Sequence, residues 1–212
     1  MAKLLLLLHG AVDDLLAPLE RDLAAEFAAA EDVAVQLLRE PAADPFFDPA
    51  APLPRPQVVV DLRVRAGRAL ADCYDALGRL LQGLPVSAGS LALVMHTREY
   101  IPAPPQPVHY HLLMFRRSGT SHADYLDYYT RFHARMGFNT PGIAGYVQNY
   151  VDAEASEALA VKLGLATVLP DSISELTFES TEALLPQLAA AEVAKAAPVD
   201  EARFIDRSRS LS

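Results

Sequence analysis

Ile101-Pro102-Ala103-Pro104-Pro105-Gln106-Pro107 places four prolines in seven positions. Proline fixes φ and has no N–H for a ladder, so this stretch is extended, semi-rigid and unable to lie inside a sheet. It reads as a linker, and the chain on either side of it reads in one order. Upstream, Lys3–Leu8 is a short apolar run, as in a strand buried on both faces. Asp13–Ala30 carries Leu15, Leu16, Leu19, Leu23 and Phe27 at helical spacing. Val33–Leu38 is a second strand, and Pro41–Pro56, with six prolines, is a loop. Gln57–Val64 is a β-branched third strand. Ala69–Gly83 is a helix with Cys73, Leu77 and Leu80 on one face and Gly83 as its C-cap. Ser90–His96 is a fourth strand.

Downstream the order returns. His109–Arg116 is a strand, with His111–Phe115 matching Leu4–Leu8. Ser121–Met136 is a helix opened by a capping box, Ser121-His122-Ala123-Asp124. Gly142–Val151 is a strand with a bulge expected at Gly145. Asp152–Pro170 is a longer connection holding a short helix over Ser156–Leu163. Ile173–Phe178 is a strand, Thr181–Ala194 a helix and Arg203–Ser208 a final strand. Strand–helix–strand read twice makes a four-stranded antiparallel sheet with two helices on one face, the ferredoxin-like arrangement. The expectation is an α+β chain of two such βαββαβ halves: residues 1–100, a linker at 101–107, and residues 108–212. Such a sheet leaves one face bare. A chain with two copies can close them face to face on each other.

The bulk numbers narrow the function. Hydrophobic content of 51% allows a core, and a net charge of −9 disfavours nucleic acid and anionic membrane surfaces, since nothing would release counterions from phosphates. One cysteine, Cys73, excludes an intrachain disulfide and fits a reducing, cytoplasmic setting. The Leu4–Leu8 run is too short for a signal-peptide core, and no apolar stretch nears the ~20 residues of a membrane span. No phosphate loop, nucleotide glycine fingerprint or nucleophile elbow appears, so no cofactor is expected.

The polar residues of interest lie in the second half. Tyr125, Tyr128/Tyr129, Phe132 and Met136 form an apolar stripe along Ser121–Met136, and His133 stands beside it. A histidine at a helix–sheet boundary is a candidate acid–base group; its bland alternative is a half-buried ring bonded to a nearby carbonyl. His109 and His111 point to one face of a strand. A metal there would need a third ligand, and no Glu-x-x-His or cysteine pair supplies one, so the two read as interface residues with no metal. Glu175 is an unusual strand resident that could pair with Arg116 or Arg117 or orient a reacting group. Gln148 and Asn149 could donate to a ligand carbonyl or to their own neighbours. Cys73 reads as core.

These residues carry a resemblance. His111-Leu112-Leu113-Met114-Phe115-Arg116-Arg117, the run Tyr125–His133, Pro141–Asn149, Asp171–Phe178 and Asp200–Ser208 resemble, in order and spacing, the EthD family of the dimeric α/β-barrel superfamily. The resemblance implies a ferredoxin-like fold, sheets packed as an intrachain pseudo-dimeric α/β barrel, and a pocket between sheet and helices. Relatives are associated with oxidation, and related folds include polyketide cyclases, cofactor-free monooxygenases and lactone isomerases. Of the family's recurring polar positions, His133, Asp171 and Glu175 carry over. The first half lacks the aromatic–histidine helix, with Leu23 and Phe27 where polar groups would stand, so it looks like a degenerate copy. The chain also stops soon after Arg209, where many relatives continue. The resulting expectation is a cofactor-independent oxidoreductase-, cyclase- or isomerase-type enzyme for a small hydrophobic or aromatic compound. His133 would move the proton, with Tyr128, Tyr129, Asn149, Asp171, Glu175 and His111 around the substrate. The alternative is a non-catalytic ligand-binding or stress-associated module. A homodimer is compatible with either.

Overall fold

The computed structural model describes residues 2–27, 32–37, 55–64, 67, 69–188 and 190–211. In chain order the first half holds β1 (Ala2–Leu8), α1 (Val12–Glu26), β2 (Asp32–Leu37), β3 (Val58–Val64), α2 (Leu70–Leu81) and β4 (Leu91–Ile101). The second holds β5 (Val108–Met114), α3 (His122–Tyr128), a π-helical turn (Tyr129–His133), α4 (Ala134–Asn139), β6 (Gly145–Val151), α5 (Ala153–Leu163), β7 (Ser172–Phe178), α6 (Thr181–Leu188) and α7 (Ala191–Glu201). Most of the expected loop Pro41–Pro56 and the end of the expected helix at Ala28–Ala30 lie outside the described residues. The described chain sorts into two units. One comprises Met1–Glu40, Pro54–Thr97 and Val151–Leu169; the other comprises Arg98–Tyr150 and Pro170–Ser212.

In the first unit the strand order is β2-β3-β1-β4, antiparallel throughout. This is the ferredoxin-like order that two strand–helix–strand passages produce. Leu4 to Leu8 are buried on both faces of β1, as the unbroken apolar run requires. On one face Leu4, Leu6 and Leu8 meet Leu15, Leu19, Leu23 and Phe27 of the first helical segment and Cys73 and Leu77 of α2. Cys73 is core, and Leu23 and Phe27 are apolar packing residues, consistent with a first half that has no aromatic–histidine helix. Gly83 takes φ +84° just past α2, where a side chain would be strained.

The long connection of the second half completes this unit. Asp152 caps α5 by accepting from the Ala155 N–H at 3.0 Å. Ser156, fully buried, accepts from the Val94 N–H at 2.9 Å and donates back to the Val94 carbonyl. The Asp152 N–H donates to that same carbonyl at 2.9 Å.

In the second unit β7 lies between β6 and β5, antiparallel to both. Alternation along β7 separates two chemistries. Ser172, Ser174 and Phe178 face the helices, bonding Tyr125 and Tyr129 and packing on Leu184. Ile173, Glu175 and Thr177 face the other way.

Four local expectations are corrected. Gly145 sits in regular register with Thr177, without a bulge; a Cβ there would meet Thr177 Oγ1 at 2.7 Å and the Ala103 Cβ at 2.9 Å, so close approach explains the glycine. The expected helix Thr181–Ala194 is two helices, α6 containing Pro186 and α7 running on to Glu201. The final strand Arg203–Ser208 is reduced to isolated bridges, Ile205 to Arg116 and Leu211 to Leu113, because the chain turns at Asp206, whose carboxylate accepts from the Ser208 N–H and hydroxyl. The apolar stripe of Ser121–Met136 also changes face midway. Tyr125 and Tyr129 are buried as expected, but Phe132 is 43% exposed and His133 only 6%. A π-helical turn holds one residue more than an α-turn, so every later residue is displaced around the axis. His133 thereby takes the inward place that an α-helix would give Phe132.

Candidate functional site

The π-helical turn is built by neighbours. The buried Gln148 side chain on β6 donates to the Tyr129 carbonyl at 3.0 Å, the oxygen that also accepts from the Ala134 N–H five residues on. A side chain inserted into the helix ladder is an ordinary cause of such a distortion. Tyr100 donates from its hydroxyl to the next carbonyl, that of Thr130, at 3.1 Å. Gln148 is itself held, donating to Tyr146 Oη at 2.7 Å and accepting from the Tyr150 hydroxyl at 2.9 Å. Sequence reading left Gln148 open between ligand and neighbour; its partners are protein groups.

The inward turn brings His133 against α7. Its Nδ1 lies 2.7 Å from Asp200 Oδ2, and the Tyr128 hydroxyl donates to Asp200 Oδ1 at 2.8 Å. The imidazole is 4.9 Å from the Phe204 ring and stacks on Tyr129 at 5.6 Å. Asp200 stands in the last turn of α7, where the helix dipole disfavours an anion, and the turn has no basic residue of its own. Burial pushes its carboxyl up, but the bonds from His133 and Tyr128 outweigh burial and hold it below its ordinary range. Glu201 beside it goes the other way. Burial raises it, and the Arg207 guanidinium, 3.2 Å away, only partly offsets this.

With Nδ1–H directed at a carboxylate, the neutral ring carries its lone pair on Nε2. Nε2 makes no hydrogen bond among the described residues. Asp200 was not among the expected site residues, although the run Asp200–Ser208 carried part of the resemblance; its partner comes from a helix 67 residues earlier.

The other expected residues separate. Tyr128 joins His133 through Asp200. Tyr129 is fully buried behind the ring, its hydroxyl paired with Ser174 Oγ at 3.0 Å. Burial pushes the phenols of Tyr125, Tyr129 and Tyr146 well up, so they act as neutral hydrogen-bonding groups. Asp171, immediately before β7, reaches the first residue of α3, accepting from the Arg116 N–H at 2.7 Å and pairing with the Arg116 guanidinium and with His122 Nδ1 at 3.1 Å. It is thus Asp171, not Glu175, that pairs with Arg116. Asn149 donates to the Ile173 carbonyl at 3.3 Å.

Glu175 and His111 meet on the far face of β7. They are opposite one another in the β5–β7 register, His111 Nε2 lying 3.9 Å from Glu175 Oε1. His109 Nδ1 is 2.7 Å from the same oxygen, and His109 Nε2 is 3.1 Å from the Gln106 carbonyl.

The second unit is an α+β domain whose aromatic helix turns a carboxylate-paired histidine toward its last helix. Residues 117–208 match the family model of the EthD domain, as the resemblance implied. No curated protein sequence matches the chain. Solved structures do share its fold. An anthrone oxidase-like protein superposes with a TM-score of 0.61 at 14% identity, over 97% of this chain and 86% of that one. Monooxygenase candidates from Lactobacillus acidophilus and Fusobacterium nucleatum superpose with TM-scores of 0.54, at 9% and 4% identity. Each match covers 97% of this chain, with 89% and 87% of the respective partner. No described helix is long and apolar enough to cross a membrane.

Proposed function

We propose that the EthD domain is an acid–base enzyme for a small hydrophobic, aromatic compound, of oxidoreductase, cyclase or isomerase type, with His133 as its proton-transfer group. The observation that supports this best is the 2.7 Å pair between His133 Nδ1 and Asp200. A carboxylate on Nδ1 fixes the tautomer with Nε2 as the base and stabilises the imidazolium once a proton is taken. Nε2 would remove a proton from a phenol or an activated C–H of the substrate and return it later. The resulting electron-rich anion can close a ring, move a double bond or react with dioxygen. Phe204 against the imidazole and Tyr128 beside it suit an aromatic ligand, and the anthrone oxidase-like and monooxygenase-type neighbours accord with such a substrate. Proton transfer at His133 itself calls for no bound group. Asp171 lies with Arg116 and His122 and on this reading supports the fold. A cytoplasmic location and a homodimer belong to the same reading.

Burial of the ring favours a second reading, in which His133 is structural and the domain binds a ligand without chemistry; its side chain is only 8% exposed. Turnover of a panel of phenols and anthrones separates the two. His133→Ala is expected to lose about 10²- to 10⁴-fold in kcat/KM. A variant that folds and turns over at the wild-type rate rules the enzymatic reading out.

A further inference from the structure

The sequence offered His109 and His111 on one strand face but no third ligand. The β5–β7 register supplies it. Glu175 stands opposite His111, and one ligand atom from each of His109, His111 and Glu175 lies within 4.8 Å of the others. Bonds of about 2.0–2.2 Å to a shared ion need such atoms roughly 3–3.5 Å apart, so the 2.7 Å pair would open and the 3.9 Å pair close by less than about 1 Å each.

Two details point to a cation at this place. The first is tautomer logic. The Gln106 carbonyl can only accept, so His109 Nε2 carries a hydrogen. In a neutral ring Nδ1 is then a lone pair, and it lies 2.7 Å from a Glu175 oxygen. The lone-pair side of the His109 ring and the Glu175 carboxylate thus converge on one place, toward which His111 Nε2 also lies, 3.9 Å from the same oxygen. A histidine whose remote N–H is held by a backbone carbonyl is also the usual supporting arrangement of a metal-bound imidazole. The second detail is unmet polarity. His111 Nε2 is buried without a hydrogen-bond partner, and so is the hydroxyl oxygen of Thr177, the residue opposite His109. Buried polar atoms without partners are costly and uncommon. Glu175 is only 2% exposed, and a buried carboxylate is retained where a cation meets it.

We propose that His109, His111 and Glu175 form a binding site for a divalent transition-metal ion such as Zn2+ or Fe2+. Two imidazoles and one carboxylate are a ligand set that such ions take, leaving positions for water or a ligand. The site lies on the face of β7 opposite the one that Tyr129 packs against, since Ser174 and Glu175 point to opposite sides. It is independent of the proton chemistry assigned to His133, and either reading can fail alone.

The test uses the full chain, stripped with a chelator and titrated with Co2+ while the visible d–d absorption is followed, with Zn2+ as competitor. The wild type is expected to saturate at one ion per chain and to gain thermal stability with added Zn2+. His111→Asn and Glu175→Gln should each weaken Co2+ binding at least about tenfold, while His122→Ala, which removes an exposed histidine, leaves it intact. A wild-type protein with neither a saturable Co2+ band nor a Zn2+-dependent shift overturns the proposal whatever the variants do. So does binding that persists at full strength in both His111→Asn and Glu175→Gln.

Discussion

Asp200 and His133 are 67 residues apart in the chain and 2.7 Å apart in space. The carboxylate needs the ring as much as the ring needs it, because Asp200 sits at the negative end of α7. Its folded carboxyl is held below the ordinary range. A depressed carboxyl contributes stability that is present above its unfolded value and lost as pH falls through the folded one. Asp200→Asn is therefore expected to cost about 1.5–3 kcal/mol at neutral pH, the worth of a hydrogen bond to a charged group. The difference from wild type should close below about pH 4. Urea unfolding across that range measures it, and a pH-independent difference contradicts the assignment.

Glu201, the next residue, carries the opposite sign. Its folded carboxyl is raised by burial. Its contribution is complete below the unfolded value and is lost as pH rises through the raised folded one. Glu201→Gln stays neutral throughout. It should melt higher than wild type at neutral pH, with the gain fading below about pH 4. Paired melting curves check this. A variant that melts lower at neutral pH would show that the Arg207 contact outweighs the burial.

Gln148 governs where His133 points. Its donation to the Tyr129 carbonyl props open the π-helical turn. Gln148→Leu keeps the bulk but removes the donor, and an α-turn would carry His133 about 100° around the axis, away from Asp200. The expected readout is a loss of the Asp200-dependent acid sensitivity, together with a stability cost of about 1–3 kcal/mol for the stranded polar partners Tyr146 and Tyr150. Retention of the wild-type pH profile would mean that other contacts hold the turn.

What the sequence revealed, and what it hid, divides along this line. β1 could be read from Leu4–Leu8 because burial on both faces leaves an unbroken apolar run. The capping box at Ser121 could be read because its partner is three residues away: the Ser121 hydroxyl oxygen accepts from the Asp124 N–H at 3.1 Å. The inward turn of His133 could not be read, since its cause is a side chain on another strand. Glu175 was visible as a misfit in a strand, but its meaning depends on register, and register is set by pairing across chain positions far apart. The final strand failed for a local reason: Asp206 turns the chain where apolar spacing alone suggested continuation.

The connection after β6 makes the last prediction. Ser156 of α5 is fully buried and both accepts from and donates to the backbone of Val94 on β4. Leu159 lies within the same hydrophobic core as Ala92 and Val94. The helix is therefore part of the first unit's packing, although its residues come from the second half of the chain. Ser156→Ala removes the acceptor that the Val94 N–H uses and should cost about 1–3 kcal/mol, the penalty for a buried donor left unmet. Ser156→Thr keeps the hydroxyl but adds a methyl in a filled site, and should cost about as much through overpacking while leaving the hydrogen bond in place. Amide exchange at Val94 distinguishes the two: protection should fall in Ser156→Ala beyond what the change in global stability accounts for, and track global stability in Ser156→Thr. Equal protection of Val94 in both variants at matched stability would show that α5 is held by its apolar face alone.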